Sequence, residues 1–264
     1  MAKQQPLRGI GVLVTRPEHQ AHRLAELIRK LGGEPVLFPA MEIVVQPDDA
    51  TAPVIKRLEQ FDLAVFTSPN AARLAMPRIV QAGGLPVGLR AAALGPGTAA
   101  ELKKFNVREM ITPAAEFDSE ALLQELSGLQ LAGKRVAIFR GQGGRQWLGE
   151  SLCRLGAEVE YVECYRRERP PRDLAELMPL WQRGSLQACL ASSSEIVSNL
   201  FEMAGAAGRP WLCQTPMFVS HPRVAVIAFA FGVNTIFVAG VGDDAMASGL
   251  ETWFAPMPRV QPGA

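Results

Sequence analysis

The chain has 264 residues, 48% of them hydrophobic and 20% charged, and a formal net charge of +1. This length and composition allow a substantial buried core in one or two domains. A near-neutral charge argues against a general nucleic-acid binder, which would carry a basic excess. The apolar run from Val224 to Val233 stops at ten residues, too few to span a membrane.

The amino-terminal stretch MAKQQPLRG lacks the apolar core of a secretion signal. The four cysteines, Cys153, Cys164, Cys189 and Cys213, are never closer than eleven residues and form no C-x-x-C pair. We therefore expect reduced, packed thiols and a cytoplasmic protein. No acidic or cysteine ligand set accompanies the few histidines, so we expect neither a metal nor a cofactor.

The first predicted elements are a strand in VLVT, from Val12, and a following helix. The helix carries leucine and isoleucine at i, i+3, i+4 and i+7 from Leu24, and Gly32 is a typical C-terminal stop. The next clear corner is LAVFTSPNAARL, from Leu63 to Leu74. Here we predict a strand that ends at Phe66 and a helix that begins near Pro69. Free N–H groups at such a helix start favour an anion.

Further strands are predicted in AAALG and in EMIT, before the chain repeats itself. The segment from Val136 resembles the segment from Val12 at an offset of 124, with Arg140 over Arg16 and Gly156 over Gly32. Later matches follow in the same order. Each copy alternates strands and helices, which predicts an α/β fold of parallel sheets with helices on both faces. The best candidate linkers are Leu37 to Ala40 and Tyr165 to Arg172.

Ligands of open parallel sheets bind at the carboxyl ends of the strands, where loops lead into helix starts. In this chain those loops are rich in small, hydroxyl and glycine residues with scattered arginine, so they offer many N–H donors to a polyanion. The candidate binding residues are Arg16, Thr67, Ser68, Asn70, Gly95, Gly97, Thr98, Ser119, Arg140, Gly141, Ser192, Ser193, Ser194, Ser220 and Arg223.

Structural explanations stand beside these assignments. The SSSE and DSE segments are good helix starts in their own right. The GPGT and RGQGGR loops complete neither G-x-G-x-x-G nor the P-loop pattern. Arg16 and Arg140 are also compatible with ordinary ion pairs. Tyr165 can donate a proton at neutral pH, which suits a general acid, or it can simply bridge core and solvent.

Taken in order, VLVTRP, DLAVFTSPNAAR, ALGPGTAAEL, FDSEALL, the long segment GKRVAIFRGQGGRQWLGESLCRLGAEVEYVECYRR and SSSE resemble the uroporphyrinogen-III synthase family. The resemblance covers about Gly11 to Phe254. It implies two parallel-sheet, flavodoxin-like lobes joined by two extended linkers, with the active-site cleft between the lobes. One lobe would comprise residues 1–38 and 168–264, and the inserted lobe residues 39–167.

The resemblance also implies the reaction of tetrapyrrole (haem) biosynthesis. Hydroxymethylbilane would lose water and close, through a spiro intermediate, to uroporphyrinogen III with its last pyrrole ring inverted. Tyr165 matches the tyrosine proposed to assist loss of the hydroxyl. Thr67, Ser68, Gly95, Thr98 and the serines from Ser192 to Ser194 match the substrate loops. The partners would be substrate and product, with no nucleic acid or membrane, and the protein a monomer.

One turn departs from the family pattern: Ser220-His221-Pro222-Arg223 stands where relatives have a glycine-proline-threonine-like turn. Arg223 could contact a propionate there, and we expect His221 to be packed rather than to donate a proton. The segments before Gly11 and after Phe254 are expected to be loose tails. Two other functions remain open: a two-lobed binding protein for an anionic small molecule without catalysis, and a nucleotide-dependent transferase that uses GPGT.

Overall fold

The computed structural model describes residues 5–255. Its strands are β1 (Gly11–Val14), β2 (Glu34–Leu37), β3 (Glu42–Val45), β4 (Leu63–Phe66), β5 (Arg90–Ala93), β6 (Arg135–Gly141), β7 (Glu158–Glu168), β8 (Ala188–Ala191), β9 (Met217–Val219) and β10 (Ile236–Val238). Its α-helices are α1 (Glu18–Lys30), α2 (Asp48–Ile55), α3 (Pro69–Gln81), α4 (Pro96–Lys103), α5 (Ser119–Ser127), α6 (Trp147–Arg154), α7 (Met178–Gln182), α8 (Ser194–Gln214), α9 (Pro222–Ala230) and α10 (Asp243–Phe254).

The strands form two sheets of five, in the orders β10-β9-β8-β1-β2 and β3-β7-β6-β4-β5. The pairings within β10-β9-β8-β1-β2 and within β7-β6-β4-β5 are parallel. The expected α/β class with two parallel sheets is therefore confirmed. Each sheet combines strands from both sequence repeats.

The described residues divide into two compact units. The first unit contains the residues up to Glu42 and those from Glu168 onward, and the second contains Ile43 to Arg167. Ala40 and Met41 pack in a core cluster of the first unit, so the boundary falls after them. The chain crosses between units within β3 and at the end of β7, which are neighbours in one sheet.

Each sheet is covered on both faces, because alternate residues of its central strands belong to different core clusters. In the first unit Leu13 belongs to one cluster, whereas Val12 and Val14 belong to another. In the second unit Ala64 and Phe66 lie in one cluster, and Leu63 and Val65 in the other. A strand turns successive side chains to opposite faces, so this alternation requires helices on both sides.

The predicted corner at Thr67 is confirmed, since β4 ends at Phe66 and α3 begins at Pro69. The Ser68 side chain accepts a hydrogen bond from the Ala71 N–H at 3.1 Å, and proline occupies the first helical position. The predicted stop after α1 is also confirmed. Gly32 follows the helix with φ of +88°, a conformation that favours glycine.

Two local expectations are wrong. The EMIT segment forms only an isolated bridge between Ile111 and Ala92. The second candidate linker, Tyr165 to Arg172, contains the boundary between the units, and its first residues are the end of β7, which continues to Glu168. Residues 5–10 are not a loose tail, since Leu7 is buried and its N–H bonds to the Leu31 carbonyl at 3.0 Å, and the expected tail at residues 1–4 lies outside the described residues. The expected tail after Phe254 lies, beyond Ala255, outside the described residues. Within the described range no helix is long and apolar enough to cross a membrane.

We expect residues 43–167 to fold as an isolated fragment, because both core clusters of this unit are made of its own residues. Circular dichroism should show one cooperative thermal transition. A Phe139→Ala variant of the fragment serves as control. It removes a ring stacked on Phe66 at 4.7 Å and should lower the free energy of unfolding by about 3–5 kcal/mol. A fragment without a cooperative transition would contradict this division.

Candidate active site

The second unit contains a cavity of about 250 Å³ at the carboxyl ends of β4 and β6. Six residues singled out from the sequence line it: Thr67, Ser68, Ser119, Arg140, Gly141 and Tyr165. They come from four separate segments of the chain. The sheet brings them together because parallel strands end at the same edge.

Tyr165 is almost completely buried, with 2% of its surface exposed. Its hydroxyl lies 3.0 Å from the Ser68 hydroxyl, and either oxygen can be the donor. Ser68 also caps α3 by accepting the Ala71 N–H. The phenol is therefore coupled through one hydroxyl to the positive end of a helix.

A β-bulge sets the direction of the Tyr165 side chain. Arg140 of β6 pairs with Glu163 of β7, but the next residue, Gly141, pairs with Tyr165, so Cys164 is the extra residue. Consecutive residues of a regular strand face opposite sides, whereas here Cys164 and Tyr165 are both buried in the same core cluster. Tyr165 thereby leaves the face of the sheet that carries Glu163. The sequence holds no signal for this shift.

Gly141 makes room for the Tyr165 ring. A Cβ atom at this position would lie 2.7 Å from Tyr165 Cζ and 3.0 Å from its hydroxyl oxygen. The sequence suggested Gly141 as a source of backbone N–H groups for a ligand. In the structure, the missing side chain is what permits the ring to occupy its place.

Arg140 precedes Gly141 in β6, so its side chain lies on the face of the sheet opposite to Tyr165, and only 7% of it is exposed. Its guanidinium stacks on the Tyr161 ring at 4.4 Å. Its polar contacts are long: Nη2 is 3.5 Å from a Glu163 oxygen, and Nη1 is 3.4 Å from the Arg145 carbonyl oxygen. Nε is buried without a hydrogen-bond partner. Burial raises the pKa of Tyr161, and the Arg140 charge opposes that rise.

The remaining candidates of this unit support the site without lining the cavity. Gly95 precedes α4, and Thr98 is buried in its first turn. Gly97 packs beside the first loop, since a Cβ there would lie 3.2 Å from Pro69 Cγ. Asn70 lies in the first turn of α3. Of the lining residues, the Thr67 hydroxyl donates to the Phe139 carbonyl at 3.2 Å, and Ser119 begins α5.

The candidates of the first unit follow three adjacent strands, β1, β8 and β9. Arg16, after β1, forms an ion pair with Asp243. Ser193 caps α8 by accepting the Ile196 N–H at 3.2 Å, and Ser194 is the first residue of that helix. Two loops are tied directly, because the Ser220 hydroxyl donates to the Ser192 carbonyl at 2.8 Å.

The turn that departs from the family pattern differs from expectation. His221 is exposed, so the expected packing is wrong. Its Nδ1 accepts the Arg223 N–H at 3.2 Å and caps α9. A histidine in this position does what serine or aspartate does at other helix starts. Arg223 itself is exposed in the first turn of the helix.

All four cysteines are free thiols, but Cys153 is exposed rather than packed. Burial raises the pKa of the Cys164 and Cys189 thiols to about 12, so neither supplies a thiolate at neutral pH. Within residues 5–255 no group of three histidine, cysteine, aspartate or glutamate side chains could hold a metal ion.

Sequence reasoning missed six polar or small residues around the cavity. These residues are Gln142, Gly144, Arg145, Gly149, Tyr161 and Arg167. Gln142, Gly144 and Arg145 belong to the RGQGGR loop, of which only the first two residues were singled out. For the missed lining residues of β7, the available signal was the alternation of Tyr161 and Glu163 along that strand.

Two α/β units, each with a parallel sheet whose strand ends lead into capped, hydroxyl-rich helix starts, define the class of open α/β proteins, in which ligands bind at the carboxyl ends of the strands. The family model described as uroporphyrinogen-III synthase HemD matches residues 22–246. The chain belongs to the uroporphyrinogen-III synthase family, whose members are cyclising lyases of tetrapyrrole biosynthesis. A binding protein without catalysis is accordingly not favoured.

Curated relatives match along nearly the whole chain. Uroporphyrinogen-III synthase of Salmonella typhimurium is 32% identical over 92% of this chain and 100% of its own length. The Escherichia coli enzyme is 31% identical over the same shares. Among solved structures, a mutant uroporphyrinogen III synthase from Thermus thermophilus superposes with a TM-score of 0.61 at 21% identity, covering 92% of this chain and 97% of the other. The Helicobacter pylori uroporphyrinogen-III synthetase gives 0.55 at 14% identity, with the same coverage. These two structures share the fold.

We expect Gly141→Ala to damage the site more than the fold. The added methyl group would overlap the Tyr165 ring and push its hydroxyl away from Ser68. The rate of uroporphyrinogen III formation should fall by at least about tenfold. A catalytic group works only when it is held within about 0.5 Å of its productive position. Gly128→Ala is the matched control, because a Cβ there meets only the Glu125 carbonyl oxygen, at 3.9 Å. Equal activity of the two variants would exclude this role of Gly141.

Proposed function

We propose that Tyr165 is the general acid of the cyclisation and that Ser68 positions it. The observation that carries this assignment is the 3.0 Å contact between the two hydroxyls inside the cavity. Ser68 already accepts the Ala71 N–H, so it can donate its own proton to the tyrosine oxygen. The Tyr165 O–H is then free to donate to a ligand.

The reaction of the family begins with the departure of the hydroxyl group of hydroxymethylbilane. Protonation by Tyr165 lets this hydroxyl leave as water when its carbon–oxygen bond breaks. The phenolate that remains would be stabilised by the Ser68 hydroxyl and by the N-terminus of α3. Attack by the substituted carbon of the last ring then gives the spiro intermediate, and the ring is inverted on the way to uroporphyrinogen III. The phenolate can take back a proton that the substrate loses on closure.

Positioning is the second task of the site. The substrate is reactive enough to close without help to the symmetric isomer, so the enzyme must hold it in one geometry, where orientation can supply up to about 7–11 kcal/mol. A cavity of about 250 Å³ lies below the roughly 300–1,000 Å³ of typical ligand pockets, which suits one part of a tetrapyrrole chain.

We propose that the acetate and propionate groups bind the loop residues singled out from the sequence. Thr67, Asn70, Gly95, Gly97, Thr98 and Ser119 surround helix starts of the second unit. Arg16, Ser192, Ser193, Ser194, Ser220 and Arg223 do so in the first unit. N–H groups of this kind bind anions without a strongly basic chain, which fits the net charge of +1.

We further propose that the chain acts as a monomer in the cytoplasm. Four widely spaced free thiols suit a reducing compartment. Gel filtration with light scattering would test the oligomeric state directly.

The decisive assay for function supplies freshly made hydroxymethylbilane and separates the product isomers. We expect uroporphyrinogen III in excess over the type I isomer, which forms spontaneously. A reaction without protein gives the background. If the protein yields only type I at the background rate, the proposed function is wrong.

Replacing Tyr165 by phenylalanine should separate chemistry from binding. The ring still fills its buried position, but the proton donor is gone, so kcat should fall by about a hundredfold or more. The Kd for uroporphyrinogen III, measured by calorimetry under nitrogen, and the thermal midpoint should change little. Wild-type turnover by this variant would assign the acid step to another group.

A further inference from the structure

Arg140 is a buried cation with too few partners. Its side chain is only 7% exposed, and its two polar contacts lie at 3.4 and 3.5 Å, the outer limit of hydrogen bonding. Nε has no partner in the described structure. An unsatisfied donor on a buried charge is costly, because water no longer solvates it. An unsatisfied buried donor in a native protein is often a site of ligand binding or catalysis.

The unpaired nitrogen belongs to a residue that lines the Tyr165 cavity. Gly144, in the loop after β6, lies over it. A Cβ atom at this position would be 3.8 Å from Nε and 3.8 Å from the guanidinium carbon. Glycine therefore leaves open the space beside Nε, and alanine would fill it without a clash.

We propose that Arg140 binds one carboxylate of the ligand side-on, through Nε and Nη2, with Tyr161 as its positioning residue and Glu163 as the counter-ion that the carboxylate displaces. Carboxylates prefer to bridge two guanidinium nitrogens on the same side, and Nε and Nη2 form such a pair. The proposal rests on the proposed function and assigns one acidic group of the substrate to this face of the cavity.

Glu163 is the resident counter-ion of Arg140 that the ligand replaces. It pairs with Arg140 across the parallel strands, and its side chain is 34% exposed. Its oxygen lies 3.5 Å from Nη2, the same nitrogen that the ligand would use. Because the Glu163 side chain is one-third exposed and its contact with Arg140 is long, the pair is weakly held and partly screened by solvent. The Glu163 carboxylate can therefore rotate into solvent when a better-placed carboxylate binds.

Tyr161 is the platform that fixes the plane of the guanidinium. Its ring faces Arg140 at 4.4 Å, and its hydroxyl donates to the Gln146 carbonyl at 3.1 Å. Gly149 of α6 lies against that hydroxyl, and any side chain there would overlap it. A stacked guanidinium keeps its edge available for hydrogen bonds.

The test measures the Kd of uroporphyrinogen III by calorimetry under nitrogen for wild type and four variants. Arg140→Lys keeps the charge but loses the side-on pair, and Gly144→Ala keeps Arg140 but fills the space beside Nε. We expect each to raise the Kd by about tenfold, the loss of one charge-assisted hydrogen bond. Glu163→Gln should leave the Kd unchanged or lower it by up to about fivefold, because it removes a competing charge.

Gly128→Ala is the control for an added methyl group at a residue that does not line the cavity, and its Kd should equal that of wild type. Thermal midpoints identify any variant that fails to fold, and Gly144→Ala decides the matter if Arg140→Lys is unstable. An unchanged Kd for Gly144→Ala, or a Kd raised tenfold by Glu163→Gln, would overturn the proposed side-on binding of a carboxylate by Arg140. The type III yield of the wild type tests the proposed function separately from these ratios.

Discussion

The pairing of β6 with β7 is the constraint on which the site depends. A regular register would place Tyr161, Glu163 and Tyr165 on one face of the sheet. The extra residue, Cys164, divides them, so that Tyr165 joins the face of Gly141 while Glu163 stays opposite Arg140. The bulge thus places the buried phenol of Tyr165 on the face of the sheet opposite to that of the buried Arg140 guanidinium, which the regular register before it already sets.

The surroundings of the two groups are complementary. The Tyr165 hydroxyl is held by one contact with Ser68, which itself accepts a backbone N–H of α3, and its own O–H stays available to a ligand. The hydrogen-bond donors of Arg140 are left partly unsatisfied, because its guanidinium faces an aromatic ring and its two oxygen partners lie at 3.5 and 3.4 Å. A neutral, well-ordered donor suits proton transfer, and an incompletely neutralised cation suits anion binding. A protein of net charge +1 can in this way handle an acidic ligand by placing few charges well.

Much of the fold could be predicted from hydrophobic periodicity and from proline and glycine positions. Proline and glycine mark the end of β4, the start of α3 and the end of α1, because their backbone preferences act within a few residues. The alternation of apolar strands and helices predicted sheets covered on both faces. The prediction of a strand in EMIT was wrong because two adjacent apolar residues, Met110 and Ile111, do not decide whether a neighbouring strand can pair with the segment. The bulge at Cys164 could not be predicted, since it depends on the register of β7 against β6. The exposure of His221 was missed because its role is a local helix cap, in which its ring accepts the Arg223 N–H.

The two points at which the chain passes between its units lie in adjacent strands, β3 and β7. Neighbouring strands are about 4.8 Å apart, so the entry and exit of residues 43–167 are close together. An insertion with such ends can be accommodated at a single opening in a host chain, without disturbing the order of the host's own strands. The core clusters of the two units share no residue, so a substitution inside one core changes the packing of that unit alone.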